Sequence, residues 1–74
     1  MILIIGNHYW GKGETLEKAK AQFRREGGRL SLGYIILDFG DDLEFKGVDQ
    51  MGRVYWNGEG RPTETEVAPR KKVS

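Results

Sequence analysis

The segment from Gly6 to Gly13 is the part of the sequence that comes closest to a known chemical motif. It reads GNHYWGKG, which fits the phosphate-binding pattern G-x-x-x-x-G-K-[ST] up to its lysine. In that pattern backbone N–H groups surround phosphate oxygens, the lysine reaches the terminal phosphate and a hydroxyl group holds Mg²⁺. Gly13 stands where the hydroxyl is required, and the rings of Tyr9 and Trp10 crowd a loop that must wrap closely on phosphate. Nucleotide handling is therefore a distant alternative for this loop, and plain anion binding is a minor one.

Four acidic side chains and one histidine are the other candidates for chemistry. The acidic residues Asp38, Asp41, Asp42 and Glu44 lack the ligand spacing and the glycine of a calcium-binding loop. Their short separation favours a hairpin turn, in which aspartate side chains accept local hydrogen bonds. His8 has no identifiable nucleophile or orienting partner near it in the sequence. We therefore expect no catalytic residue, no cofactor and no metal ion, and we interpret the chain as a protein that is not an enzyme.

The size and composition of the chain limit its architecture. Its 74 residues make one small domain, and they include no cysteine, so disulfide bonds and thiolate zinc sites are excluded. The longest apolar run, Met1 to Ile5, is shorter than the hydrophobic region of a signal peptide and far shorter than a membrane span. The formal net charge of +1 does not by itself favour nucleic acid as a partner. We expect a cytoplasmic protein that does not interact with membranes.

Hydrophobic periodicity predicts the elements that position these residues. The apolar run 1–5 is typical of a buried strand, and Thr15 is the natural N-cap of a helix that Gly27 and Gly28 end. From residue 34 the period changes to two, which predicts strands over 34–39, 43–46 and 53–56 with glycine-containing turns between them. The pattern is β-α-β-β-β, an α+β fold with one helix packed on an antiparallel sheet of about four strands. We place a single domain at residues 1–58 and a flexible, disordered charged tail at 59–74, where no periodicity remains.

The sequence predicts a partner-binding surface made of an open sheet face and the aromatic loop. Along 34–39, the odd-numbered residues are predicted to point toward the helix and the even-numbered residues toward the open face, where Tyr55 joins them. An apolar, tyrosine-rich face of this kind favours self-association or contact with a protein partner. The predicted partner-binding residues are Tyr9, Trp10, Lys12, Tyr34, Ile36 and Tyr55. We expect a protein partner, and a homodimer is one form that the contact can take.

Basic residues on the predicted helix favour a second class of partner. Residues 12–25 carry five basic and two acidic side chains, whereas residues 38–49 carry one basic and five acidic side chains. A basic helix face can be an ordinary solvated surface, or it can contact nucleic acid or an acidic protein surface. The residues of this alternative nucleic-acid-binding site are Lys18, Lys20, Arg24 and Arg25, with Arg70, Lys71 and Lys72 of the tail beside them.

One segment resembles a group of known proteins. Residues 9–13, which read YWGKG, and the helix opening TLEKA at 15–19 resemble small accessory proteins that phages and prophages carry. The resemblance covers about the first two-thirds of the chain, and some anti-CRISPR proteins share the β-α-β-β-β layout. It implies a non-enzymatic protein that binds and modulates a larger host machine, such as a nuclease or polymerase complex, in the host cytoplasm. It assigns no functional residue in this chain.

Overall fold

A computed structural model describes residues 1–70 of the chain, and within them one α-helix and six strands are formed. The helix α1 spans Leu16–Arg25, and a short 3-10 turn covers Leu30–Leu32. The strands are β1 (Ile2–Ile5), β2 (Trp10–Gly13), β3 (Tyr34–Asp38), β4 (Glu44–Val48), β5 (Val54–Asn57) and β6 (Thr63–Ala68). One antiparallel sheet has the order β2-β1-β3-β6, and β4 pairs with β5 in a separate two-stranded sheet. The predicted class, an α+β fold with one helix and an antiparallel sheet of four strands, is confirmed.

The strands that make up the four-stranded sheet differ from the predicted β-α-β-β-β order. Residues 10–13, predicted as loop, form β2 in a hairpin with β1, and the strands predicted after residue 39 form the separate β4–β5 hairpin. Residues 63–68, assigned by the sequence to a flexible tail, form β6 and pair with β3, so the tail prediction is wrong for this segment. Its alternating Thr and Glu residues suit an exposed edge strand, which needs little apolar content. Residues 71–74 of the predicted tail lie outside the described residues.

Helix α1 has well-defined ends that follow from its sequence. The side chain of Thr15 accepts a hydrogen bond from the Lys18 backbone N–H at 3.2 Å, as expected of an N-cap. At the other end Gly27 takes a positive φ of 107°, and Gly28 donates its N–H to the Phe23 carbonyl at 2.8 Å. Glycine reaches this conformation without steric cost, so the helix ends where the sequence predicts.

Glycines on β2 and directly after β1 allow the helix to lie very close to the sheet. A β-carbon at Gly11 would overlap the backbone of Phe23, and one at Gly13 would lie 2.6 Å from the Ala19 nitrogen. A β-carbon at Gly6 would lie 2.7 Å from the end of the Phe23 ring. Real β-carbons do not approach other atoms so closely, so Gly11 and Gly13, which face helix backbone, require glycine, and a larger residue at position 6 would displace the Phe23 ring. The core that results on this face contains Ile4, Ala19, Phe23 and Ile36.

The β4–β5 hairpin supplies aromatic side chains to the opposite face of the sheet. Phe45 of β4 packs edge-on against Trp10 of β2, with ring centroids 5.2 Å apart, and against Phe39 at 5.7 Å. Trp56 of β5 lies 6.3 Å from Phe39 in the same geometry. Leu3, which points away from the helix-side residue Ile4, is fully buried. The sheet therefore has apolar cover on part of each face, and β1 is buried on both.

Candidate functional site

The open face predicted from strand alternation is not open. Ile36 is only 3% exposed and belongs to the core beneath α1, and Tyr34 packs against the same core. Tyr55 lies in the other sheet, so it shares no face with these two residues. Alternation correctly separated the two sets of β3 side chains, but β3 carries apolar residues on both sets, and period alone does not show which set the helix covers. The part of the predicted partner-binding surface that depends on a shared Tyr34–Ile36–Tyr55 face is therefore wrong.

The uncovered apolar surface lies on the other face, in a row across three strands. Ile5 of β1 is in register with Ile35 of β3, which is in register with Val67 of β6. Ile35 is 37% exposed and Val67 is 56% exposed. These three residues line a depression of about 320 Å³, which is extended by Leu32. We call Ile5, Ile35 and Val67 the apolar row.

The loop that joins β1 to β2 borders the apolar row. The Gly6 backbone N–H donates to the Tyr9 carbonyl at 2.8 Å, which closes the loop, and the Tyr9 side chain is exposed. A β-carbon at Gly27 would lie 3.1 Å from the Tyr9 ring, so this ring rests on the end of α1. A second depression of about 180 Å³ separates the loop from the turn between β4 and β5, and Ile5 lines both depressions. The loop thus stands between the apolar row and the hairpin.

The turn between β4 and β5 is organised by Asp49. One carboxylate oxygen of Asp49 accepts the backbone N–H groups of Met51 and Arg53, both at 2.9 Å, and the other accepts the Tyr55 hydroxyl at 2.7 Å. The Tyr55 hydrogen bond and the Arg53 backbone hydrogen bond lower the pKa of Asp49 below its usual value. The same hydrogen bond to Asp49 raises the pKa of Tyr55. The carboxylate fixes the turn that presents Met51, whose side chain is 76% exposed.

The motif-like segment Gly6–Gly13 has a structural role in this fold. Its glycines allow α1 to approach, and the Lys12 backbone N–H donates to the Gln22 side-chain oxygen at 2.8 Å. The Lys12 ammonium lies 5.4 Å from the centre of the Phe45 ring, on the face opposite the helix. Lys12 is therefore part of a strand, with its amide already used, and the segment does not form a loop that surrounds an anion. Asp38 likewise has the local turn role that its spacing indicates, because it accepts the Gly40 N–H at 2.8 Å.

The basic residues of α1 have no acidic partners within residues 1–70. The salt bridges found there join Lys46 to Glu44 and Arg53 to Asp49, both outside the helix. Residues 1–37 carry six basic and three acidic side chains, a balance of +3, whereas residues 38–68 carry three basic and eight acidic side chains, a balance of −5. The basic helix side chains are Lys18, Lys20, Arg24 and Arg25, of which Lys20 is half-buried and the rest are exposed.

The sequence and the structure together place the predicted site residues in two groups. Trp10 and Lys12 lie on the face that carries the apolar row, and Tyr9 lies in the loop beside it with its ring on the end of α1, whereas Tyr34 and Ile36 lie beneath α1. The apolar row itself and Met51 were not predicted from the sequence. The sequence assigned Val67 to a tail. The one feature that could have indicated its place in the apolar row is that it is a large apolar residue directly after a run of alternating Thr and Glu.

Comparison with known proteins finds no family model, no curated protein and no solved structure that matches this chain significantly. Within residues 1–70 there is no helix with the length and apolar character needed to cross a membrane. The geometry of the chain's own residues therefore carries the functional argument.

Proposed function

We propose that this chain is a small non-enzymatic binding protein that modulates a larger macromolecular machine through protein–protein contact. The observation that carries the proposal is the apolar row, in which Ile35 and Val67 expose large aliphatic side chains side by side on a sheet. Contiguous apolar patches with a polar rim are typical of interaction sites, whereas single exposed apolar residues are ordinary. Tyr9, in the loop that borders the apolar row, adds an exposed side chain of a type that is enriched at interfaces.

The surroundings of the apolar row support binding because they are held in place before a partner arrives. The loop is closed by the hydrogen bond between Gly6 and Tyr9, and the neighbouring turn is fixed by three hydrogen bonds to Asp49. A surface that is already ordered loses less conformational entropy on association. The site thus combines exposed apolar area with rigid borders, which is the arrangement that a small binding protein needs.

The resemblance to accessory proteins of phages and prophages extends this proposal to the type of partner. On that basis the partner is a component of a host machine in the cytoplasm, such as a nuclease or polymerase complex, and binding alters what that machine does. A chain of 74 residues can act in this way by occupying a surface that the machine uses for another contact.

Capture from an extract of the native host, followed by affinity measurements with the purified partner, tests the proposal. Ile35→Ser and Val67→Ser should each weaken the captured complex by roughly tenfold, in the range of residues that matter at interfaces. Leu16→Ser is the matched control, because Leu16 is 38% exposed, almost the same as Ile35, but lies at the start of α1. Equal loss in the control, or full affinity in both apolar-row variants, contradicts the proposal.

Nucleic-acid binding is the second candidate function, and the basic helix residues without carboxylate partners favour it. Lys18 and Arg25 are exposed and free to neutralise phosphates. If this function is correct, duplex or single-stranded DNA should be retained with an affinity that falls steeply as salt increases. Lys18→Gln with Arg25→Gln should then weaken retention, whereas Lys46→Gln with Arg61→Gln, in the acidic half of the chain, should not. Retention that is absent at low salt removes this candidate.

A further inference from the structure

We infer that the partner contacts this chain with a basic, extended segment that pairs with the free edge of β6 and adds a strand to the sheet. The inference rests on the proposed function, since it names the chemistry of the partner at the same site. It follows from three properties of β6: its position at the sheet edge, its place at the end of the apolar row, and its acidic side chains.

The position of β6 leaves one row of backbone groups without a strand partner. β6 pairs with β3 on one side, and within residues 1–70 no strand pairs with its other side. All of its side chains are exposed except that of Ala68, which is half-buried. An exposed edge of this kind presents N–H and C=O groups that an extended peptide can use, as in proteins that bind partners by strand addition.

The side chains of β6 define what the added strand must carry. Val67 ends the apolar row, so an apolar residue beside it would continue the row and cover the valine. Glu64 and Glu66 lie on either face of the sheet, because they are in register with Leu37 and Ile36. Glu64 has no salt bridge within residues 1–70, and β6 itself carries two glutamates and no basic residue, although Arg70 lines the same depression as Val67. Lysine or arginine residues on both faces of the added strand complement this edge.

A second copy of the chain fits this edge poorly. Antiparallel pairing of two β6 strands would bring four glutamates to one seam, and like charges across neighbouring strands are destabilising. The strand is also irregular, since the register shifts between Ile36 and Leu37, where the Thr65 hydroxyl donates to the Ile36 carbonyl at 3.4 Å. Edge charges and bulges suppress unselective edge pairing. The edge of β6 can therefore pair with a basic segment, whereas pairing with β6 of a second copy of the chain is disfavoured.

Binding of designed peptides to the full-length protein tests the inference. The probe is a peptide of about eight residues, a typical strand length, that carries lysines on both faces and a valine to lie beside Val67. One control replaces lysine with glutamate, and another keeps every side chain but carries N-methyl groups along one edge of the peptide. Affinity is measured by NMR titration, and amide hydrogen exchange reports pairing at β6.

We expect the lysine–valine peptide to bind and to slow exchange of β6 backbone amides at least tenfold. The N-methylated peptide should bind at least tenfold more weakly, and the glutamate peptide should not bind. Glu64→Gln with Glu66→Gln should weaken binding about three- to tenfold, as expected for exposed charge pairs. The matched pair Glu14→Gln with Glu26→Gln, which removes two exposed charges at the ends of α1, should leave affinity unchanged. Glutamine at residue 66 keeps an acceptor for the Tyr34 hydroxyl, so folding is retained.

Several results overturn the inference and are distinguishable from failure of the proposed function. Equal binding of the N-methylated peptide means that attraction of charges, without strand pairing, holds the peptide. If the β6 amides still exchange freely at millimolar peptide, the peptide does not pair with β6 and the inference fails. If the β6 amides of the protein alone become protected as its concentration rises, the edge pairs with a second copy of the chain, and the inference fails as well. If Ile35→Ser and Val67→Ser abolish capture of the host partner while β6 amides in that complex exchange freely, the proposed function stands and strand addition fails. If those variants capture the partner normally, the proposed function fails first.

Discussion

Gly11 of β2 lies directly against the backbone of Phe23 in α1, so close that a β-carbon at residue 11 would overlap the helix. Gly11→Ala should therefore force the helix away from the sheet and lower the free energy of unfolding by about 1–3 kcal/mol or more, the usual cost of overpacking. Denaturant unfolding measures this loss. Lys12→Ala is the control in the same strand, since the Lys12 side chain is exposed, and it should cost less than about 1 kcal/mol. Equal losses in the two variants contradict the packing role of Gly11.

The Gly11 contact also explains why the sequence pointed to phosphate chemistry. Glycines in a strand–helix connection predict that the backbone closely approaches another group. The sequence does not show whether that group is a bound phosphate or another part of the chain. Here the approaching group is the helix backbone at Gly11 and Gly13, and the Phe23 ring of the same helix at Gly6. The helix ends, by contrast, were predictable because Thr15 and Gly27 act locally, through hydrogen bonds and backbone conformation within a few residues.

Long-range pairing was the part of the fold that local patterns did not determine. Strand β6 carries alternating Thr and Glu, with low hydrophobicity, and its strand character depends on the open edge of β3 rather than on its own composition. The apolar row depends on the same pairing, because Val67 joins Ile35 only once β6 is in the sheet. Periodicity did identify the two sides of β3, and it failed only in assigning the helix to one of them.

Ile35 and Ile36 are adjacent residues that should respond in opposite ways to truncation. Ile36→Ala removes a side chain that is buried beneath α1, so it should lower the free energy of unfolding by about 2–5 kcal/mol. Ile35→Ala should cost clearly less than Ile36→Ala, because Ile35 is 37% exposed in the apolar row whereas Ile36 is 3% exposed. Denaturant unfolding of both variants makes the measurement. If Ile35→Ala lowers the free energy of unfolding more than Ile36→Ala does, then Ile35, not Ile36, faces the helix, as the sequence predicted.

The turn between β4 and β5 should lose order at low pH through Asp49. Because hydrogen bonds lower the folded-state pKa of Asp49, its contribution is present above the ordinary aspartate pKa of about 3.9 and is lost as pH falls through the lower folded value. Tyr55→Phe removes the largest cause of the shift, so an NMR titration should find the pKa of Asp49 raised in this variant. Tyr9→Phe, which removes a hydroxyl that is not bonded to Asp49, is the matched control and should leave the Asp49 titration unchanged. An unchanged pKa in Tyr55→Phe would show that this hydrogen bond does not hold the carboxylate.

The contact between β3 and β6 should weaken at high pH through Tyr34. Burial raises the pKa of Tyr34 above its usual value, and the hydrogen bond of its hydroxyl to Glu66, at 3.1 Å, raises it further. A raised folded-state pKa means that the contribution is complete below the ordinary tyrosine pKa of about 10 and is lost as pH rises through the folded value. Ultraviolet titration of tyrosinate should show late ionisation of Tyr34 and Tyr55, and Tyr34→Phe should remove one of these two late ionisations. Glu66→Gln should shift the Tyr34 ionisation to lower pH, because the neutral amide no longer opposes a phenolate, whereas Glu64→Gln should leave it in place. An ionisation of Tyr34 that is indifferent to Glu66→Gln would show that the charge of Glu66 does not raise the pKa of Tyr34.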